Sequence, residues 1–125
     1  MRDQHHLKRS VDFRRVYGAR HRRDGRLLVV YSLPNRLAHA RVGFSVSTKV
    51  GGAVVRNLVK RRLRAASHEW LQEAGSRGVD LVIVARPEAA AAAFGELRSE
   101  LRALFEGLAT MPPSDLDASG HRTAP

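Results

Sequence analysis

Residues 41–47 alternate, with Val42, Phe44 and Val46 on one side and Gly43, Ser45 and Ser47 on the other, the two-residue period of a half-buried strand. Past Gly51 and Gly52 the period changes. From Ala53 to about Ala74 the apolar positions Val55, Val59, Leu63, Ala66 and Trp70 recur at spacings of three and four, which gathers them on one face of a helix, and Gly75 stands where helices commonly end. Residues 80–85 (Asp80, Leu81, Val82, Ile83, Val84, Ala85) then form a short apolar run of the buried-strand kind. Strand, long helix, strand is the frame around which the rest of the chain has to be arranged.

The flanking segments add two helices and a strand. Residues 10–20 read as a short helix, with Ser10 as its cap and Phe13, Val16 and Tyr17 on one face. A basic link bounded by Gly18 and Gly25 leads into Leu27, Leu28, Val29, Val30, Tyr31, Ser32 and Leu33, a strand apolar on both faces that Pro34 and Asn35 end. After Pro87, the residues Phe94, Leu97, Leu101, Leu104, Phe105 and Leu108 make the packing stripe of a last helix. From Thr110 onward three prolines and few apolar residues predict a disordered tail. The expected organisation is one domain over residues 1–109 and a tail over 110–125, with no internal repeat.

Charge narrows the function. The chain holds 22 Lys and Arg against 12 Asp and Glu, a net +10, but residues 1–64 alone hold 17 basic and three acidic side chains. A cationic excess confined to one half points to a polyanion, and nucleic acid is the expected partner. No stretch approaches the ~20 apolar residues of a membrane span, and a membrane-surface helix would carry large apolar side chains opposite its charges. With no cysteine there is no disulfide, thiolate nucleophile or cysteine zinc site, and the charged start lacks the apolar core of a signal peptide. A cytoplasmic protein is expected. Asp3, Asp12 and Asp24 are scattered through the basic half, and His5 and His6 read as solvated residues of a mobile terminus, so neither a metal site nor catalysis by the chain's own side chains is expected.

The long helix carries the densest charge. Beside its packing face, Arg56, Asn57, Lys60, Arg61, Arg64 and His68 occupy a neighbouring arc. A solvated helix normally pairs its cations with carboxylates, yet none occurs between Asp24 and Glu69, so these cations repel one another until an anion neutralises them. Lys49 and the glycine pair place a second anion-friendly feature at the helix start, although a plain turn is the more common explanation of two glycines.

The run VGFSVSTKVGGAVVRNLVKRRLR, residues 42–64, resembles the signature of bacterial ribonuclease P protein subunits, and residues 7–17, 27–33 and 80–87 resemble the family's first helix, apolar strand and final strand. Three positions depart from the usual pattern: Gly52 where Asn is common, Thr48 where Lys is, and Leu58 where a basic residue is. Gly52 weakens a cap by only a few tenths of a kcal/mol. Leu58 replaces the second arginine of an Arg-Asn-Arg motif, whose contact is then absent or supplied by Arg62, close by on the helical wheel.

The resemblance implies an α+β fold, a two-layer α/β sandwich with a four-stranded sheet, about three helices and a left-handed βαβ crossover like that of the second domain of a small-subunit ribosomal protein, although right-handed crossovers dominate generally. It also implies the accessory subunit of an endoribonuclease whose catalysis, with its Mg2+, belongs to the RNA, and no cofactor or protein partner for this chain. Lys49, Arg56, Asn57, Lys60, Arg61 and Arg64 would meet the catalytic RNA. Phe13, Tyr17, Val29, Tyr31, Ser45 and Ser47 would line a cleft for the single-stranded 5′ leader of precursor tRNA, where aromatics stack on unpaired bases. Core packing is the competing reading for each aromatic. The alternative function is a non-enzymatic ribosomal or architectural RNA-binding protein. A helix-turn-helix DNA reader would need a second helix against the basic one, where strands are expected instead.

Overall fold

The computed structural model describes residues 5–19, 21–74 and 78–109. Gly75, read as the end of the long helix, and the tail from residue 110 lie outside the described residues. The elements run α1 (Ser10–Gly18), β1 (Arg22–Asp24), β2 (Leu28–Pro34), β3 (Arg41–Ser45), α2 (Ala53–Ala74), β4 (Val79–Ala85), a 3-10 turn (Pro87–Ala91) and α3 (Phe94–Ala109).

The four strands form one sheet in the order β1-β2-β4-β3. β2 is antiparallel to both of its neighbours, whereas β3 and β4 run parallel, with Val42 opposite Leu81 and Phe44 opposite Ile83. Parallel neighbours need a long connection, and α2 is that connection. Alternation then divides the side chains between two faces. On one, Leu28, Val30, Val42, Leu81 and Ile83 pack against Val59, Leu63, Ala66 and Trp70 of α2 and Leu97, Leu101 and Phe105 of α3. The Trp70 and Phe105 rings meet at 4.6 Å. Each large apolar side chain so buried contributes roughly 1.5 to 3 kcal/mol. On the other face a smaller cluster of Leu7, Val16, Ala19, Leu33 and Val82 seats α1.

The second half of α2 is tied to α3 by Glu69 with Arg98 at 2.9 Å and Glu73 with Arg102 at 3.3 Å. On the α1 side, Arg41 donates to Asp80 at 2.8 and 2.6 Å and lies 3.8 Å from Asp12 of α1. Phe94, expected in the packing stripe of α3, is 37% exposed, since as the first helical residue it precedes the turn that meets the sheet.

Several expectations change. Ser10 does not cap α1: the carbonyl of Arg9 already accepts from the amides of Asp12 and Phe13, so Arg9 is the capping position and Ser10 is inside the helix. The basic link contains a strand, β1, which forms by pairing its backbone with β2. His5 and His6 are half-buried beside β3, where Nδ1 of His5 lies 2.7 Å from the carbonyl oxygen of Ala40 and His6 bridges to Val42. The open edge of β3 offers the backbone partners that hold them. β3 itself stops at Ser45.

Candidate RNA interfaces

Four cations of α2, Arg56, Lys60, Arg61 and Arg64, stand without a carboxylate partner among the described residues. Asn57, Arg61, Arg64 and His68 are exposed, and Arg56 and Lys60 are half-buried. Glu69 and Glu73 of the same helix pair instead with Arg98 and Arg102 of α3. The entry to α2 is shaped by Gly51, at φ 157°, where a Cβ would come within 3.0 Å of Val55. Gly52 occupies the capping position and its carbonyl accepts from the Arg56 amide at 2.9 Å. Lys49 is exposed just before this turn.

The second feature is the cleft between α1 and the sheet. Phe13 and Tyr17 point from α1 toward β2 and β4, and Phe13 lies so close to Gly43 that a Cβ there would be 2.5 Å from the ring. The space above β3 at Gly43 is therefore filled by this ring. Tyr17 meets Tyr31 at 4.9 Å in an edge-to-face arrangement and stands 6.5 Å from Phe13. Phe13, Tyr17 and Tyr31 are all half-buried, each resting on the small cluster while keeping part of its ring toward solvent. Val29 is buried in the floor between Asp24 of β1 and Val84 of β4, and Ser45 lies opposite Val84 on the far side. Ser47 is exposed in the loop past β3, where its hydroxyl accepts from the Lys49 amide at 3.3 Å.

Arg22 is the cleft residue that sequence reasoning missed. It stands opposite Tyr31 in the register, its guanidinium carbon 5.5 Å from the ring centroid and Nη1 donating to the hydroxyl at 3.2 Å. The hydrogen-bonded Asp24 carboxylate, followed by Tyr31, pushes the Arg22 guanidinium above its ordinary value. No sequence signal marks Arg22, because its role depends on the pairing of β1 with β2.

A family model described as Ribonuclease P matches residues 1–109. The chain belongs to the ribonuclease P protein family. It is 38% identical over 100 residues to the ribonuclease P protein component of Alkaliphilus oremlandii, covering 80% of this chain and 87% of that one. The counterpart from Lactococcus lactis subsp. cremoris is 41% identical over 96 residues, covering 77% and 80%. Among solved structures, the RNase P protein of Staphylococcus aureus superposes with a TM-score of 0.75 at 30% identity, over 85% of this chain and 95% of that one. The protein from Thermotoga maritima shares the fold with a TM-score of 0.74 at 24% identity, over 82% and 96%.

Within this ribonuclease P protein, Leu58 is half-buried and its neighbour on the wheel, Arg62, already has a protein partner. Arg62 donates through Nη1 to the carbonyl of Ala92 at 3.0 Å and is thereby held toward α3. Among the described residues, no group of three or more His, Cys, Asp or Glu side chains could hold a metal ion, and no helix is long and apolar enough to cross a membrane.

Proposed function

We infer that this chain, a protein subunit of ribonuclease P, contributes through two separate surfaces to removing the 5′ leader of precursor tRNA. Lys49, Arg56, Asn57, Lys60, Arg61 and Arg64 bind phosphates of the catalytic RNA. Phe13, Tyr17, Val29, Tyr31 and Ser45, with Ser47 at the rim, receive the unpaired leader. The observation that carries this reading is the contrast within α2, where Glu69 and Glu73 pair with arginines of α3 while Arg56, Lys60, Arg61 and Arg64, exposed or half-buried, have no carboxylate partner among the described residues. Such a surface is suited to a polyanion, and releasing counterions from RNA provides the driving force.

Chemistry belongs to the RNA in this reading, with magnesium bound there. Among the described residues, several carboxylates are committed elsewhere: Asp12 and Asp80 to Arg41, Asp24 to Arg22 and Arg86, Glu96 to Arg26, and Glu100 to three backbone amides. The protein supplies charge neutralisation and a grip on the leader, in the cytoplasm where precursor tRNA is made.

Cleavage of precursor tRNA tests the assignment. The purified chain alone should not cleave, and adding it to the cognate RNA at low magnesium should accelerate cleavage. Protein-dependent cleavage that survives complete removal of the RNA refutes the reading.

A further inference from the structure

Tyr31 is the ring on which the leader reading places a base, yet the ring is not open. Arg22 lies over it at 5.5 Å and binds its hydroxyl, while Tyr17 meets it edge to face at 4.9 Å. Arg22 is in turn gripped by Asp24, whose Oδ1 accepts from Nε at 3.0 Å and from Nη2 at 2.7 Å. The two-residue period of β1 puts Arg22 and Asp24 on the same face, opposite Tyr31 and Val29. Both side chains are about half exposed, at 47% and 51%.

We propose that Arg22 is the phosphate-binding residue at the mouth of the leader cleft, and that Asp24 holds it over Tyr31 until a leader phosphate takes the carboxylate's place. The proposal rests on the leader-cleft reading above. A phosphodiester offers the guanidinium fork the same two-oxygen acceptor as a carboxylate, so the exchange leaves Arg22 paired throughout. Asp24 is not orphaned either, because Nη2 of Arg86 lies 3.6 Å away and Arg86 is itself fixed to the Gly25 carbonyl at 2.9 Å. An exposed ion pair is weak enough to open readily. The backbone beneath stays in place: Glu100 of α3 accepts from the amides of Arg26, Leu27 and Leu28 at 2.9, 2.8 and 2.6 Å, which pins the turn joining β1 to β2. The motion is therefore confined to the Arg22 side chain, and its departure uncovers the face of Tyr31 for a base.

The test is binding of fluorescent precursor tRNA with an unpaired leader, and of mature tRNA, to the protein assembled with its catalytic RNA. Arg22→Ala should weaken precursor binding about two- to fivefold, the scale of one exposed ion pair. It should also lower the log–log salt slope by about 0.7, the share of one single-strand phosphate. Asp24→Asn should tighten precursor binding by a similar factor, and the double variant should behave as Arg22→Ala does, since no cation is left for Asp24 to withhold. Mature tRNA should bind all of them alike. If Arg22→Ala keeps the parent's affinity and slope while Tyr31→Ala weakens binding, the proposal is overturned and the cleft reading stands. If Tyr31→Ala is also neutral, the cleft reading falls and the proposal with it. Weaker binding by an Asp24→Asn protein that melts like the parent also overturns the latch. Should that variant melt lower, Arg22→Ala decides alone, because it removes only an exposed side chain.

Discussion

Asp80 is 1% exposed, and its charge is tolerable only because its partners surround it: Arg41 donates twice, and the Asn35 amide donates at 2.8 Å. Arg41 is held toward its charged form by the Asp80 hydrogen bonds first, then by the charges of Asp80 and Asp12, against the opposing effect of burial. Because Asp12 belongs to α1, this one arginine couples the helix that walls the cleft to the strands beneath it. Asp80→Ala should therefore leave the half-buried Arg41 guanidinium with only Asp12 and the Asn35 amide with only the His39 carbonyl, and cost on the order of 3 kcal/mol in urea unfolding. A loss below about 1 kcal/mol would mean that water replaces the carboxylate and that the site is a surface pair. None of this was legible in the sequence, where Asp80 reads as the polar start of an apolar run. Its partners lie 39 and 45 residues away and only the register of β3 on β4 brings Arg41 beside it. The shared face of Phe13, Val16 and Tyr17, by contrast, was legible from the helical period, whereas grouping Tyr31 with them came from the family resemblance.

At the scale of elements, α2 and α3 follow their apolar periods, and the residues expected to pack from α2 are buried or packed against the core. β1 was invisible for a physical reason: Arg22, Arg23 and Asp24 are all exposed and charged, so neither period nor propensity marks a strand that forms by backbone pairing with β2. α3 contains half of a capping box, because Glu96 accepts from the Ala93 amide at 3.0 Å but Ala93 has no side chain to return the bond. Ala93→Ser should complete the box and raise stability by about 1 kcal/mol in thermal or urea unfolding. The Ala93 amide first, and Arg26 second, lower the Glu96 pKa in the folded chain. Its contribution is thus complete above the ordinary carboxylate range and fades as the pH falls through the lower folded value, so the stability lost in Glu96→Gln should shrink in acid. For α2 the expectation concerns salt. Neutralising Arg56, Lys60 and Arg64 to glutamine should lower the slope of RNA affinity against salt by about two, at roughly 0.7 to 0.9 per phosphate. An unchanged slope would make this face merely solvated surface.

For the whole molecule, the decisive feature is that α2 packs against the face of the sheet opposite the one that α1 and Tyr31 occupy. The two proposed RNA surfaces lie on different sides of one sheet and so should be separable by mutation, which a single basic patch with incidental aromatics would not be. Tyr31→Ala should cost roughly 1 to 3 kcal/mol of affinity for precursor tRNA with a leader, the scale of one base stacked on an aromatic ring. Mature tRNA should bind almost unchanged, and assembly with the catalytic RNA should persist. The Arg56, Lys60 and Arg64 variant should instead fail chiefly at assembly, losing affinity whether or not a leader is present. Tyr31 is half-buried and touches Val82, Tyr17 and Arg22, so some stability goes with the ring, and thermal melts must accompany the binding measurements. A Tyr31→Ala protein that melts near the parent yet loses leader discrimination separates the two surfaces. One that melts near the parent and still distinguishes precursor from mature tRNA as the parent does removes Tyr31 from leader recognition and leaves the cleft as packing.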